Sequence, residues 1–292
     1  MDRENSGKQR PRGATPAALG ACLGAVLAGA CAQGWEAPPV SGLSQEGAII
    51  FAITIGEAET GGRLATAGDF TSAWEEGDQA VVFAVSRPSA SPSGLAPEGN
   101  YLNNETLTRG GSAWSYSLSS PYFPQNGNVL DFYAYYPRQA GAANPGGIAF
   151  SVQADQDAAG NYSKSSLLTA RQTGVAKTSN AVPLSFAHAV ALVQVTVTNS
   201  GDNTRLTLRN VRTRGALDLG AGTLSLDNNS LGSIKMLRFE QGPPGVFRAL
   251  APPQALNGAY IEAEHDGKRY AYPIDPAITL QAGKAARLSI TI

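Results

Sequence analysis

Runs of alternating apolar and polar residues, repeatedly broken by turn formers, constrain this chain more than any other feature. Ile49, Phe51, Ile53 and Ile55 fall on one face of an extended segment, and Val81, Phe83 and Val85 do the same. Leu130, Phe132, Ala134 and Tyr136 follow within 129–137. Val193, Val195 and Val197 alternate with Gln194, Thr196 and Thr198, and Leu206 and Leu208 continue the pattern. The tail alternates Ala286, Leu288, Ile290 and Ile292 with Arg287, Ser289 and Thr291. A period of two puts one face of a strand on a core and the other toward solvent. Val, Ile, Thr and aromatic residues dominate these runs, as half-buried strands prefer. Asp266-Gly267 between 260–264 and 268–274 is a hairpin signal. Pro243-Pro244 and Pro252-Pro253 exclude helix there. No helical stripe of useful length and no strand–helix–strand alternation accompany them, so the expectation is an all-β chain of packed sheets.

The chain has 292 residues, enough for two such sandwiches. Its weakest stretch, 139–182, is rich in Gly, Asn, Ser and Gln, and a fresh series of strands begins after it. The expected division is an N-terminal β-sandwich over 47–183 and a C-terminal β-sandwich over 184–292. Lys and Arg number 22 against 23 Asp and Glu, with no basic cluster, which argues against a nucleic-acid partner.

The N-terminus has the layout of an export signal. Arg3, Lys8, Arg10 and Arg12 precede an apolar stretch, 14–30, rich in Ala, Leu and Gly. The stretch is weakly apolar for a retained membrane span. It ends Leu27-Ala28-Gly29-Ala30-Cys31, similar to a bacterial lipobox, in which small residues precede a cysteine that receives diacylglycerol. The alternative is an ordinary cut after Ala30 or Ala32. Cleavage before Cys31 would remove the only other cysteine, Cys22, and leave a single thiol for acylation. The reading is a signal peptide over 1–30 and a lipid-anchored tether over 31–46.

Residues suited to chemistry are sparse. His188 and His265 lie far apart and lack cysteine neighbours at metal-ligand spacing. No nucleophile elbow and no glycine-rich phosphate loop are present. Asp155, Asp157, Gly160, Asn161 and Ser163 echo a calcium loop, but Ala159 and Ser166 stand where its acids belong, so an Asp/Asn turn is expected. The reading is therefore a non-enzyme with no catalytic residue, no metal and no cofactor. Trp74, Trp114, Tyr133, Tyr135 and Tyr136 admit two readings: a surface that stacks on carbohydrate, or core and interface packing.

Several landmarks then occur in a telling order. After Cys31 come the strand at 48–55, Arg63 in Gly-Gly-Arg-Leu-Ala-Thr, and Trp74-Glu75-Glu76-Gly77-Asp78. Leu130-Asp131-Phe132-Tyr133-Ala134-Tyr135-Tyr136-Pro137 and Asp155-Gln156-Asp157 follow, then Leu167-Leu168-Thr169-Ala170 and Pro183-Leu184-Ser185-Phe186-Ala187-His188-Ala189. Leu250-Ala251-Pro252-Pro253-Gln254 and Leu280-Gln281-Ala282-Gly283-Lys284 come last. This order resembles the fimbrillin-like family of Bacteroides-type surface lipoproteins, the subunits of type V pili. The resemblance implies two transthyretin-like sandwich domains at the outer membrane and cell surface. It implies other pilus subunits as partners, joined by strand exchange, with a host protein or glycan as a further partner of an adhesin. It implies lipidation at Cys31 and an arginine-specific cut between Arg63 and Leu64. That cut would remove the first strand (Ile49, Phe51, Ile53, Ile55). The last strand (Ala286, Leu288, Ile290, Ile292) is the candidate donor. A surface lipoprotein that binds carbohydrate through its aromatic residues is the alternative function.

Overall fold

The computed structural model describes residues 47–56, 73–91, 93–117, 121–240 and 243–292. In chain order these hold β1 (Phe51–Ile55), β2 (Gln79–Arg87), β3 (Leu102–Gly110), β4 (Ala113–Tyr116), β5 (Val129–Tyr136), β6 (Ile148–Ser151), the one-turn α1 (Asn161–Lys164), β7 (Leu168–Val175) and β8 (Val182–His188). Then come β9 (Ala191–Thr198), β10 (Arg205–Arg212), β11 (Arg214–Asp218), β12 (Thr223–Leu226), β13 (Leu231–Lys235), β14 (Leu237–Arg238), β15 (Val246–Ala251), β16 (Tyr260–His265), β17 (Lys268–Pro273) and β18 (Ala285–Thr291). The expected all-β sandwich architecture is what the chain adopts.

One sheet of seven strands, ordered β1-β8-β7-β5-β2-β3-β4, carries the first part of the chain. It rolls until its two edges meet. The Phe51 ring of β1 lies 6.1 Å from the Tyr116 ring of β4 and 5.2 Å from Phe132. The Ile49 amide donates to the Pro121 carbonyl, and the Phe123 amide to that of Gly47. The rolled sheet encloses a core of Ile49, Phe51, Val82, Leu107, Phe123, Leu130, Phe132, Leu184 and Phe186.

The opposite face of the same sheet is also dry. Val81, Phe83 and Val85 of β2 and Tyr133 and Tyr135 of β5 join a second core, together with Val190, Leu192, Leu208, Phe247 and Ile261. This is why 80–85 reads Ala-Val-Val-Phe-Ala-Val without a polar break: a strand covered on both faces needs apolar residues at every position. Around that core stand the sheets β13-β10-β16-β17 and β14-β15-β9-β18, and the small sheet β12-β11-β6. All the described residues fall in one compact unit, 44–292.

Asp131 and His188 are among the buried polar groups inside this framework. Asp131 of β5, 3% exposed, takes two hydrogen bonds from Arg87 of β2 at 2.7 and 2.9 Å, and a third from the Gly174 amide at 2.7 Å. Burial works to raise the carboxyl's pKa, but these donors outweigh it and hold the group below the usual carboxylate range. His188, at the end of β8, is 5% exposed, with Ser166 Oγ 3.5 Å from its Nδ1. Burial favours the neutral ring and lowers its pKa to about 4.

Two predictions follow from these groups. Asp131→Ala leaves the Arg87 guanidinium without its counter-ion and the Gly174 amide without its acceptor, and is expected to lower the midpoint of urea-induced unfolding. His188 is held neutral in the fold but has an unfolded pKa of about 6.5. Its contribution is complete above about pH 6.5 and is lost as pH falls toward 4, to a total of about 3 kcal/mol. Replacing it with Gln should flatten that part of the stability profile relative to the parent; parallel profiles would show that the ring is not the titrating group.

Candidate assembly site

The first and last strands occupy equivalent positions. Among the described residues β1 is an edge strand whose only ladder is a parallel one with β8, pairing Phe51 with Val182, Ile53 with Leu184 and Ile55 with Phe186. Among the described residues β18 is likewise an edge strand whose only ladder is a parallel one with β9, pairing Leu288 with Val195 and Ile290 with Val197. Each strand therefore reaches its place by a long connection and, among the described residues, pairs along one side only.

Their apolar faces are covered to different extents. Ile49 is fully buried and Phe51 nearly so, while Ile53 and Ile55 are half-buried against the first core. Alongside β1 lie Val182, Leu184 and Phe186 of β8, each no more than 1% exposed. On β18, Ala286, Leu288 and Ile290, with Ile292 just beyond, are half-buried against the second core, and Arg287, Ser289 and Thr291 face outward. The free end is tied by the Tyr272 hydroxyl, which donates to the Thr291 carbonyl at 2.6 Å. The alternation seen in the sequence thus becomes one buried and one open face on both strands. Cys31, Arg63, Leu64, the signal peptide and the 31–46 tether lie outside the described residues.

The aromatic residues divide. Tyr133 and Tyr135 are 1% and 0% exposed, in the core shared with 189–292, so neither offers a ring to a sugar. Trp74 stands edge-on to Trp114, Tyr136 and Phe186, with ring centroids 5.0–5.4 Å apart, and closes one end of the first core. The Tyr136 hydroxyl donates to Asp78 Oδ1 at 2.8 Å, and Asp78 Oδ2 accepts from the Glu75 amide. The Trp-Glu-Glu-Gly-Asp turn and the Tyr-Tyr-Pro corner are therefore two halves of one contact.

Other motifs are structural as well. Asp155 Oδ1 accepts from the amides of Asp157 and Ala158, which is the turn expected there. Lys235 sits 3.3 Å from Asp155 and 3.1 Å from Asp157, where a cation would have to go. Among the described residues no cluster of His, Cys, Asp and Glu could hold a metal. Two glutamines that the alternation pattern does not single out act as backbone clamps. Gln156, fully buried, donates to the Leu250 carbonyl at 2.7 Å and accepts from the Leu250 amide at 2.8 Å. Gln254 does the same with Arg212, at 2.9 and 2.8 Å. Each satisfies main-chain groups that the ladders leave open, which a buried backbone requires. Their flanking Asp, Pro and Leu residues were the only sequence signal.

The model of the fimbrillin-like family matches residues 65–292. No curated protein matches the chain. Among solved structures, a candidate cell adhesion protein of Bacteroides uniformis shares 18% identity over 85% of this chain and 93% of its own, with a TM-score of 0.61. A candidate cell adhesion protein of Bacteroides ovatus shares 16% identity over 84% and 91%, with a TM-score of 0.64. A fimbrial protein of Bacteroides ovatus shares 18% identity over 84% of this chain and 49% of its own, with a TM-score of 0.53. At these identities the structures speak for the shared fold, and the family match rests on the chain's own sequence. The chain belongs to the fimbrillin-like family and is not an enzyme.

Proposed function

We propose that the chain is a structural subunit or accessory adhesin of a type V-like pilus, joined to other subunits by strand exchange. The observation that carries this reading is the equivalence of β1 and β18. Each is an apolar edge strand held in parallel by one neighbour. Loss of β1 would uncover Val182, Leu184 and Phe186 and free a row of β8 backbone groups, the features by which a sheet accepts a foreign strand. A donor running parallel to β8 restores them if it carries apolar residues at every second position. Leu288, Ile290 and Ile292 have the spacing of Phe51, Ile53 and Ile55.

In this reading Cys31 carries the lipid that attaches the exported chain to the outer membrane, and a cut between Arg63 and Leu64 releases β1. Division into sandwich domains over 47–183 and 184–292 belongs to the same reading. The sheet changes between β8 and β9, at 189–190, a few residues beyond that expected boundary, and β6 pairs with β11 of the second part. The partners are other pilus subunits, and for an adhesin a host protein or glycan.

Purified chain treated with an arginine-specific protease should begin at Leu64 and form a ladder of oligomers on native mass measurement. Ile290→Asp should abolish the ladder while the uncut monomer keeps its circular dichroism. A trimmed product that stays monomeric contradicts strand exchange.

A further inference from the structure

Among the described residues, the large apolar side chains that stand out to solvent are Ile50 at 45%, Tyr101 at 40%, Tyr122 at 42% and Leu231 at 63% exposure. The first three converge although they are far apart in sequence. Ala48 and Tyr122 are bridged antiparallel, and the Ile49 amide donates to Pro121. Ile50 lies two residues beyond Ala48 on the same side of the extended chain, which makes it the diagonal neighbour of Tyr122. The Tyr101 hydroxyl donates to the Tyr122 carbonyl. Lys177 borders the patch: a Cβ added at Gly47 would meet its Cε at 3.2 Å, and its Nζ donates to Gln125 Oε1 at 3.2 Å.

We propose that this face, Ile50, Tyr101 and Tyr122 with Lys177 at its rim, is where the body rests on the phospholipid surface. Two arguments select a bilayer. The first is position. The described fold begins at Gly47, beside the patch, about 16 residues after Cys31, so a lipid on Cys31 holds this face within about 55 Å of the membrane. No other described part of the fold lies as near to that lipid along the chain. The second is composition. Tyrosines with an apolar ring and a polar tip suit the headgroup layer, and a lysine at the rim suits lipid phosphates. Three side chains are too few to bind a membrane unaided. They act once an anchor has raised the local concentration of the surface they meet. The inference rests on the anchoring at Cys31 proposed above, and it concerns the chain before any cut at Arg63, because Ile50 lies upstream of that cut.

The test attaches the anchor chemically, so that it does not depend on whether the cell lipidates Cys31. Full chain carrying Cys22→Ser is coupled through its Cys31 thiol to a maleimide phospholipid in phosphatidylethanolamine–phosphatidylglycerol vesicles. It is then compared with uncoupled chain by hydroxyl-radical footprinting. At low surface density, oxidation of Tyr101 and Tyr122 should fall at least threefold, and that of Leu231 should not change. Equal oxidation in both samples overturns the proposal. Protection that appears only as surface density rises overturns it in favour of a second copy as the covering partner. The mass of the natural mature N-terminus separately decides the lipidation reading.

Discussion

Burial of β2 and β5 on both faces is the constraint from which the rest of the structure follows. Residues of one parity fill the inside of the rolled sheet, and residues of the other parity fill the core shared with 189–292. Neither face can give way without opening the other. The middle of the molecule is thereby fixed, and what variation the fold permits is pushed to its sheet edges. The Arg87–Asp131 pair reinforces this by locking the two central strands together at a point where an unpaired charge would be costly.

The sheet edges hold the first and last of the described strands. Among the described residues β1 and β18 each pair with a single strand, β8 and β9. Their side chains are less completely covered than those of β5 or β9, apart from Ile49 and Phe51 at the start of the first strand. Local stability follows buried apolar contact, so these strands belong to the part of the fold that opens most readily. In the proposed strand exchange, the segments easiest to remove are those whose loss would leave an apolar groove behind.

Much of this was legible in the sequence, for reasons that particular residues make clear. Alternation located β1, β9 and β18 because each has one wet face. It could not show that Val81 and Phe83 on one parity, and Val82 on the other, are both buried, because an unbroken apolar run has no period. It left Tyr133 and Tyr135 between solvent and a neighbouring surface, since the covering residues come from a distant part of the chain; the structure puts both rings in the shared core. The parallel pairing of the terminal strands was not legible, because alternation records which face is dry and not which strand lies alongside. Gln156 and Gln254 were not recognised as clamps, since a glutamine looks alike in sequence whether it meets water or a buried carbonyl. The family motifs around them marked the positions without giving the reason, which is the need to satisfy the main chain at Leu250 and Arg212.

Native-state hydrogen exchange, resolved by residue and followed through low urea concentrations, tests the central claim most directly. The account expects amides of 51–55 and 285–291 to exchange through local openings, at least tenfold faster than those of 81–85 and 130–135 and with little dependence on urea. Exchange of both terminal strands only by global unfolding, at the same free energy as β2 and β5, would contradict it.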